Sequence, residues 1–316
     1  MLNQFAKILL FLTFGITSCR NSDFSLYFNE DEYVKGTPPG TIQFSENQFI
    51  DKTEITNFSW LEYRSWLKDK YGSDSQEYIN SKPATDCWIK IDSLYEDYAD
   101  FYLTHPAYQD YPLVGVSFKQ AKEFSIWRSD RVFELILIKN GVLNWDSLKT
   151  NKIVFTRSQF FEDENFSKYH HIPYPNYSLV PPEMWESILE FSDSLKTSNI
   201  KSCKQRSLLW KFRTEDVYCT EIIKDDEFVI NSIELKYSFE KVEPTTMVDC
   251  YTCNKDLVYQ LLGNVAELTS DSTKVFGGSF IDSLTTIQNQ HLQISSAPNC
   301  FTGFRNLCTW QFWNQN

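Results

Sequence analysis

The chain is 316 residues long, carries a formal net charge of −12 at pH 7, and is 16% aromatic, with nine Trp and 25 Phe. That aromatic content excludes a disordered chain, and the acidic balance excludes a nucleic-acid binder, which needs a basic face. The same balance gives no electrostatic pull toward anionic lipid.

At the start of the chain, Lys7 precedes an apolar run from Ile8 to Ile16, broken only by Thr13 and Gly15, and then Thr17-Ser18-Cys19. The run falls short of the ~20 residues a membrane-spanning helix needs. A charged start, a short apolar core and small residues describe a secretory signal, and a cysteine directly after them resembles a bacterial lipobox. The expectation is a lipoprotein signal peptide over 1–18, with lipidated Cys19 as the mature N-terminus holding the chain on a membrane of the bacterial cell envelope, the outer membrane preferred. Each buried lipid CH₂ contributes ~0.8 kcal/mol to such an anchor. Residues 19–36 read as a polar tether, and 37–316 are long enough to bury a large core.

Further along, Phe49 and Ile50 read as a short strand. Asn57 is placed to N-cap a helix whose apolar positions Trp60, Leu61, Tyr63, Trp66 and Leu67 have helical spacing. Residues 72–104 read as a polar insertion, helical from Ile91 to Leu103. Pro112-Leu113-Val114-Gly115-Val116-Ser117-Phe118 reads as strand into turn, followed by a helix from Lys119 to Arg128 capped by Ser117. Arg131 to Lys139 is too apolar for a loop, Ile153-Val154-Phe155 suggests a strand, and Glu162-Asp163-Glu164 an acidic loop. A helix starts at Pro181-Pro182-Glu183-Met184-Trp185-Glu186, where proline is at home because the first N–H has no partner. Alternating runs within 198–243 suggest a hairpin. Late in the chain come Gly263-Asn264-Val265-Ala266-Glu267-Leu268, Gly277-Gly278-Ser279-Phe280 and Gly303-Phe304-Arg305. Paired glycines permit close backbone approach, and Arg305 is expected to tie a buried carboxylate with its planar fork.

These pieces, in this order, resemble the formylglycine-generating enzyme (sulfatase-modifying factor) family. Glu54, Thr56 and Asn57 match its opening motif, and Leu179, Trp185 and Glu186 match a displaced helix start. The resemblance implies an irregular α+β, C-type-lectin-like fold, here with insertions near 72–104 and 187–245. In catalytic members two cysteines follow the Gly-Gly-Ser turn and bind copper(I), which soft thiolates suit; here those places hold Asp282 and Ile287. No catalytic residue is therefore assigned and no copper is expected. The family's calcium stretch carries over as Gln260, Gly263 (carbonyl), Val265 (carbonyl) and Glu267, a candidate structural calcium site of oxygen donors; the alternative is that Gly263-Asn264 is a tight turn and Glu267 an internal hydrogen-bond partner. Ser125 stands where the family has a cysteine, which leaves out one habitual disulfide. The histidines, His105, His170, His171 and His291, lack metal-ligand spacing.

With Cys19 lipidated, Cys87, Cys203, Cys219, Cys250, Cys253, Cys300 and Cys308 remain, an odd number in a compartment that permits disulfides. Their pairing is left open. Cys250 and Cys253 form a lone C-x-x-C, read as a disulfide or buried cysteines rather than zinc ligands. The favoured function is a non-catalytic binding or scaffolding lipoprotein with an envelope protein or glycan as partner, of the type found among gliding-motility and protein-secretion components. The alternative is an oxidoreductase of the formylglycine-generating type with a relocated metal site around Cys300.

Overall fold

The computed structural model describes residues 36–91, 93–144, 154–195, 244–249, 258–294 and 298–313. The expected signal segment, most of the expected tether, the expected hairpin within 198–243, the C-x-x-C pair, Cys203 and Cys219 lie outside these residues. The chain divides into two units. The first is described only at 36–40, a short turn, and the second, from Thr41 on, carries the strands and helices.

Mixed helices and sheets place the chain in the α+β class. Strands β1 (Thr41–Ser45), β2 (Gln48–Asp51), β3 (Tyr174–Leu179) and β8 (Asn306–Gln311) form one antiparallel sheet in the order β1-β2-β8-β3. The expected strand at Phe49–Ile50 is β2, in register with Cys308 and Leu307 of β8. A second sheet runs β6-β5-β4-β7, from β4 (Ala266–Leu268), β5 (Lys274–Phe276), β6 (Leu292–Ile294) and β7 (Thr302–Gly303). Only its β4–β7 pair is parallel.

Helix α1 (Asn57–Tyr71) begins one residue earlier than its apolar spacing suggests. The cap is Thr56, whose hydroxyl accepts from Ser59 N–H, and Asn57 is the first helical residue. Buried Asn57 instead donates its amide to the carbonyls of Tyr102 and Tyr108, holding the 102–108 segment against the helix. Short helices α2 (Gln76–Asn80), α3 (Cys87–Ile91) and α4 (Glu96–Phe101) follow. The expected helix over Ile91 to Leu103 is thus broken into a 3₁₀ turn at Ser93–Tyr95 and the six residues of α4. Pro112 forms only an isolated bridge to Thr56, and Leu113 N–H donates to the Ile55 carbonyl, so the expected strand there amounts to one contact before Gly115 turns the chain at φ 75°.

Ser117 caps α5 (Phe118–Lys139) through a full capping box with Gln120, as its sequence signature requires. The helix runs 22 residues, joining what reads as a ten-residue helix and a separate apolar run. The polar residues at the junction do not break it because each finds a partner. Asp130 accepts from Arg157 at 2.8 Å, Arg131 donates to Glu134 at 2.6 Å, and Ser129 accepts from Tyr177 N–H of β3 at 2.8 Å. Residues 154–156 have no strand partner; Phe155 is buried beside Phe133 and leads into α6 (Arg157–Glu162). Pro182–Met184 opens helically and leads into helix α7 over 185–195, which matches the proline-led start. Helix α8 (Leu284–Asn289) lies between β5 and β6.

Among the described residues, apolar clusters lie around three tryptophans of this frame. Trp60 of α1 stacks on Phe124 of α5 and meets Phe304 edge-on. Trp185 of α7 stacks on Phe276 of β5 at 4.5 Å. Trp88 of α3 lies parallel to Phe280 beside Cys87 and Cys300. Gly303 joins the first and third: a Cβ there would stand 2.6 Å from the Leu113 carbonyl oxygen and 3.1 Å from Val265 Cγ2. Gly303→Ala is expected to cost about 1–3 kcal/mol, the range for overpacking a close contact, read as a lowered urea midpoint with an unchanged m-value.

Candidate functional site

Arg305 is the largest fully buried charged side chain among the described residues. Its Nε–H lies between both carboxylate oxygens of Glu267, at 2.7 and 2.8 Å. Nη2 donates to the Tyr259 carbonyl at 2.7 Å, and Nη1 to the Asp51 carbonyl at 3.2 Å. The sequence expectation that Arg305 ties a buried carboxylate is met in Glu267. A second buried carboxyl lies nearby: Glu54 Oε2 is 3.8 Å from Nη2 and makes no hydrogen bond, while Oε1 accepts from Asn264 Nδ2 at 2.9 Å. Asn264, in the left-handed region at φ 58°, in turn accepts from Thr246 N–H at 2.9 Å.

Two buried carboxyls thus face one guanidinium. Burial raises both, opposed in each case by Arg305, and their mutual repulsion adds to the shift of Glu54, which is pushed up to about 8. Glu267 holds the guanidinium with both oxygens, so it is the better placed to stay ionised and Glu54 to carry the proton near neutrality.

Beside this cluster a second ion pair joins helix to sheet. Arg128 of α5 grips Asp51 through both terminal nitrogens at 2.7 and 2.9 Å and lies over the Tyr177 ring. Asp51 also accepts from Asn306 N–H at 2.8 Å, and Asn306 donates to Ser125 Oγ at 2.7 Å. Ser125 therefore links α5 to β8 by a hydrogen bond.

Asp282 and Ile287 both have structural roles. Asp282 accepts from the backbone N–H and hydroxyl of Ser279, both at 2.8 Å, and so closes the Gly-Gly-Ser turn. Ile287 is fully buried against Gly278. Cys300 forms a disulfide with Cys87 of α3, across 213 residues. The proposed relocated site would need a free thiol at Cys300, and the disulfide leaves none. Cys308 is free but buried, and burial pushes its thiol far above the range in which a thiolate forms near neutrality.

The four calcium candidates lie in one segment. Glu267 gives both oxygens to Arg305, and the Gln260 carbonyl also receives Nη2, at 3.4 Å. Gly263 N–H donates to Gly277 O, and Val265 is buried. A calcium ion needs six to eight oxygens, and the one carboxylate among the four candidates is engaged by a guanidinium. The histidines are dispersed. His105 Nδ1 accepts from Ala107 N–H, His171 lies near the Lys168 carbonyl, His170 packs on Phe161 and Trp313, and His291 meets Glu186 at 3.1 Å. Among the described residues no three His, Cys, Asp or Glu side chains are grouped as metal ligands.

The Glu54–Asn264 link, the Asp51–Arg128 pair and the Cys87–Cys300 disulfide were not foreseen from sequence. The first had a signal, since both residues stand in the motifs that carry the family resemblance. No protein-family model matches the chain, and no curated protein matches it.

Because the folded-state value for Glu54 lies above the unfolded one, its contribution to stability is full below pH 4.5 and is lost as pH rises through about 8. Glu54→Gln, which imitates the protonated acid, should flatten the fall in urea-determined stability across that window by up to about 1.4 kcal/mol per pH unit. Glu267→Gln is the opposite case: it strands a buried guanidinium and should cost about 3–5 kcal/mol at pH 7. Equal effects of the two variants would contradict the assignment of the proton.

Proposed function

We propose that this chain is a lipid-anchored protein of the bacterial cell envelope whose sulfatase-modifying-factor-like domain, in the irregular C-type-lectin-like fold of that family, binds or scaffolds rather than catalyses. The observation that carries this reading is the employment of the family's cysteine positions. Asp282 closes a turn and Ile287 fills the core. Copper(I) oxidation needs two thiolates at one metal; an aspartate is a hard donor and an isoleucine no donor at all. The disulfide at Cys300 removes the remaining candidate thiol from that neighbourhood.

The lipobox-like Ile16-Thr17-Ser18-Cys19 supports the anchor, and the polar stretch after it supports a domain held a short way off the membrane. Gliding motility or protein secretion is the setting that the family resemblance suggests, with an envelope protein or a glycan as partner. A fold hosts many functions, so the weight rests on the residues named above.

The purified protein, given copper and a reductant, is expected to leave a Cys-x-Pro-x-Arg peptide unmodified by mass spectrometry. Turnover of that peptide, lost in Cys300→Ser, would overturn the reading and establish the oxidoreductase. For the anchor, cells grown with labelled fatty acid should label the wild-type protein and not Cys19→Ala. Equal labelling of both would show that Cys19 is not the lipid site.

A further inference from the structure

The disulfide found among the described residues joins cysteines far apart in the chain, and a free cysteine lies close in sequence to one of them. Cys300 is bonded to Cys87 across 213 residues, with their Cα atoms 5.5 Å apart, while Cys308 follows Cys300 by only eight residues and is free. Every other cysteine stands farther from Cys300 along the chain than Cys308 does. In an unfolded chain the odds that two residues meet fall as the −3/2 power of the loop between them. By that rule Cys300 meets Cys308 about 100-fold more often than it meets Cys87. The bond in the structure is therefore not the one that chance encounter favours.

The fold supplies what chance does not. Cys87 opens α3, where the neighbouring Trp88 lies parallel to Phe280, and both rings share a buried cluster with Cys300. Gly115 N–H donates to the Asn299 carbonyl at 2.9 Å, and its own carbonyl accepts from Ala84 N–H at 2.8 Å. The backbones just before Cys87 and just before Cys300 are thus laced through one residue. Cys308 is taken elsewhere. Strand β8 sets it opposite Phe49 of β2 and Tyr177 of β3, fully buried near Arg128 and Asp51. Folding therefore commits the two nearest thiols to different parts of the core.

We propose that Cys308 is a transient disulfide partner of Cys300, and that the Cys87–Cys300 bond is made by intramolecular exchange with a Cys300–Cys308 bond. In the first step the thiols of Cys300 and Cys308 give two electrons and two protons to a disulfide oxidant, glutathione disulfide or a protein disulfide, which becomes two thiols. In the second the Cys87 thiolate attacks Sγ of Cys300. The Cys87–Cys300 bond forms, the Cys300–Cys308 bond breaks, and Cys308 leaves as a thiolate that takes up the proton Cys87 released. This step needs no further oxidant. An unfolded thiol, with a pKa of about 8.5, exchanges readily. Once β8 is paired, burial pushes the Cys308 thiol far up, and the reverse attack stops. The inference goes beyond the binding reading and does not depend on it.

The test uses the full mature chain carrying Cys19→Ser, reduced in denaturant and diluted into a mixture of oxidised and reduced glutathione. Samples are quenched with N-ethylmaleimide over time, cut with trypsin and read by mass spectrometry. Cleavage after Arg305 puts Cys300 and Cys308 on separate peptides, so a bond between them appears as a linked pair. At early times that pair should exceed the Cys87–Cys300 pair by at least about tenfold. It should then decay at the rate at which Cys87–Cys300 rises, after a lag. Cys87→Ala should hold the chain at the Cys300–Cys308 stage, a readout that does not require the variant to fold. Cys308→Ala should abolish the lag. Absence of the Cys300–Cys308 pair from the wild type at every time would overturn the proposal. So would an unchanged lag in Cys308→Ala, or a wild-type Cys300–Cys308 pair that never converts, which would make it a dead end.

Discussion

A guanidinium with no access to water organises this molecule. Removing one charge from water costs several kcal/mol even after relaxation, and the cost is offset only when the geometry and the hydrogen bonds are complete. Arg305 meets that condition by drawing on three separated parts of the chain: the end of β2 through the Asp51 carbonyl, the 259–260 segment through the Tyr259 carbonyl, and β4 through Glu267. Each must arrive in place for the charge to be tolerated, so the arginine acts as a condition on the fold rather than as a surplus of stability. Asp51 extends the condition to α5 through Arg128. Helix, both sheets and the left-handed backbone at Gln260 and Asn264 are thereby tied to one small polar centre.

The same economy of polar groups bears on function. Here the groups at the relevant places are committed inward: a carboxylate spans a turn, an isoleucine fills a gap, one cysteine is oxidised and another is too deeply buried to ionise.

Local signals were legible in the sequence and distant ones were not. The Ser117 capping box, the proline-led helix start and the β2 strand are written within a few residues, and each stands where it was expected. That Arg305 ties a buried carboxylate was legible because a buried arginine demands one; that the carboxylate is Glu267 was not. The length of α5 was misjudged because Asp130 and Arg131 look like a break until Arg157 and Glu134 are seen to satisfy them. The N-cap shifted by one residue because Thr56 and Asn57 are both competent caps, and only the tertiary acceptors at Tyr102 and Tyr108 decide that Asn57 goes inside. The disulfide had no local signature at all, since its halves are 213 residues apart. The C-type-lectin-like architecture rests on resemblance, and the α+β class on the helices and sheets themselves.

The first sheet has a temporal implication. Its order, β1-β2-β8-β3, places the strand made last between two made much earlier. Until β8 has been synthesised, β2 and β3 have no common neighbour, Asp51 lacks the Asn306 N–H, and the pocket for Arg305 is an unfilled acidic hole. Pairings of such sequence separation form slowly because the loop must close before any contact rewards it. The nascent chain therefore cannot settle this half of its structure before β8 has been made. It stays pliable until its final strand is free, and then the sheet, the ion-pair centre and the long-range disulfide can close together.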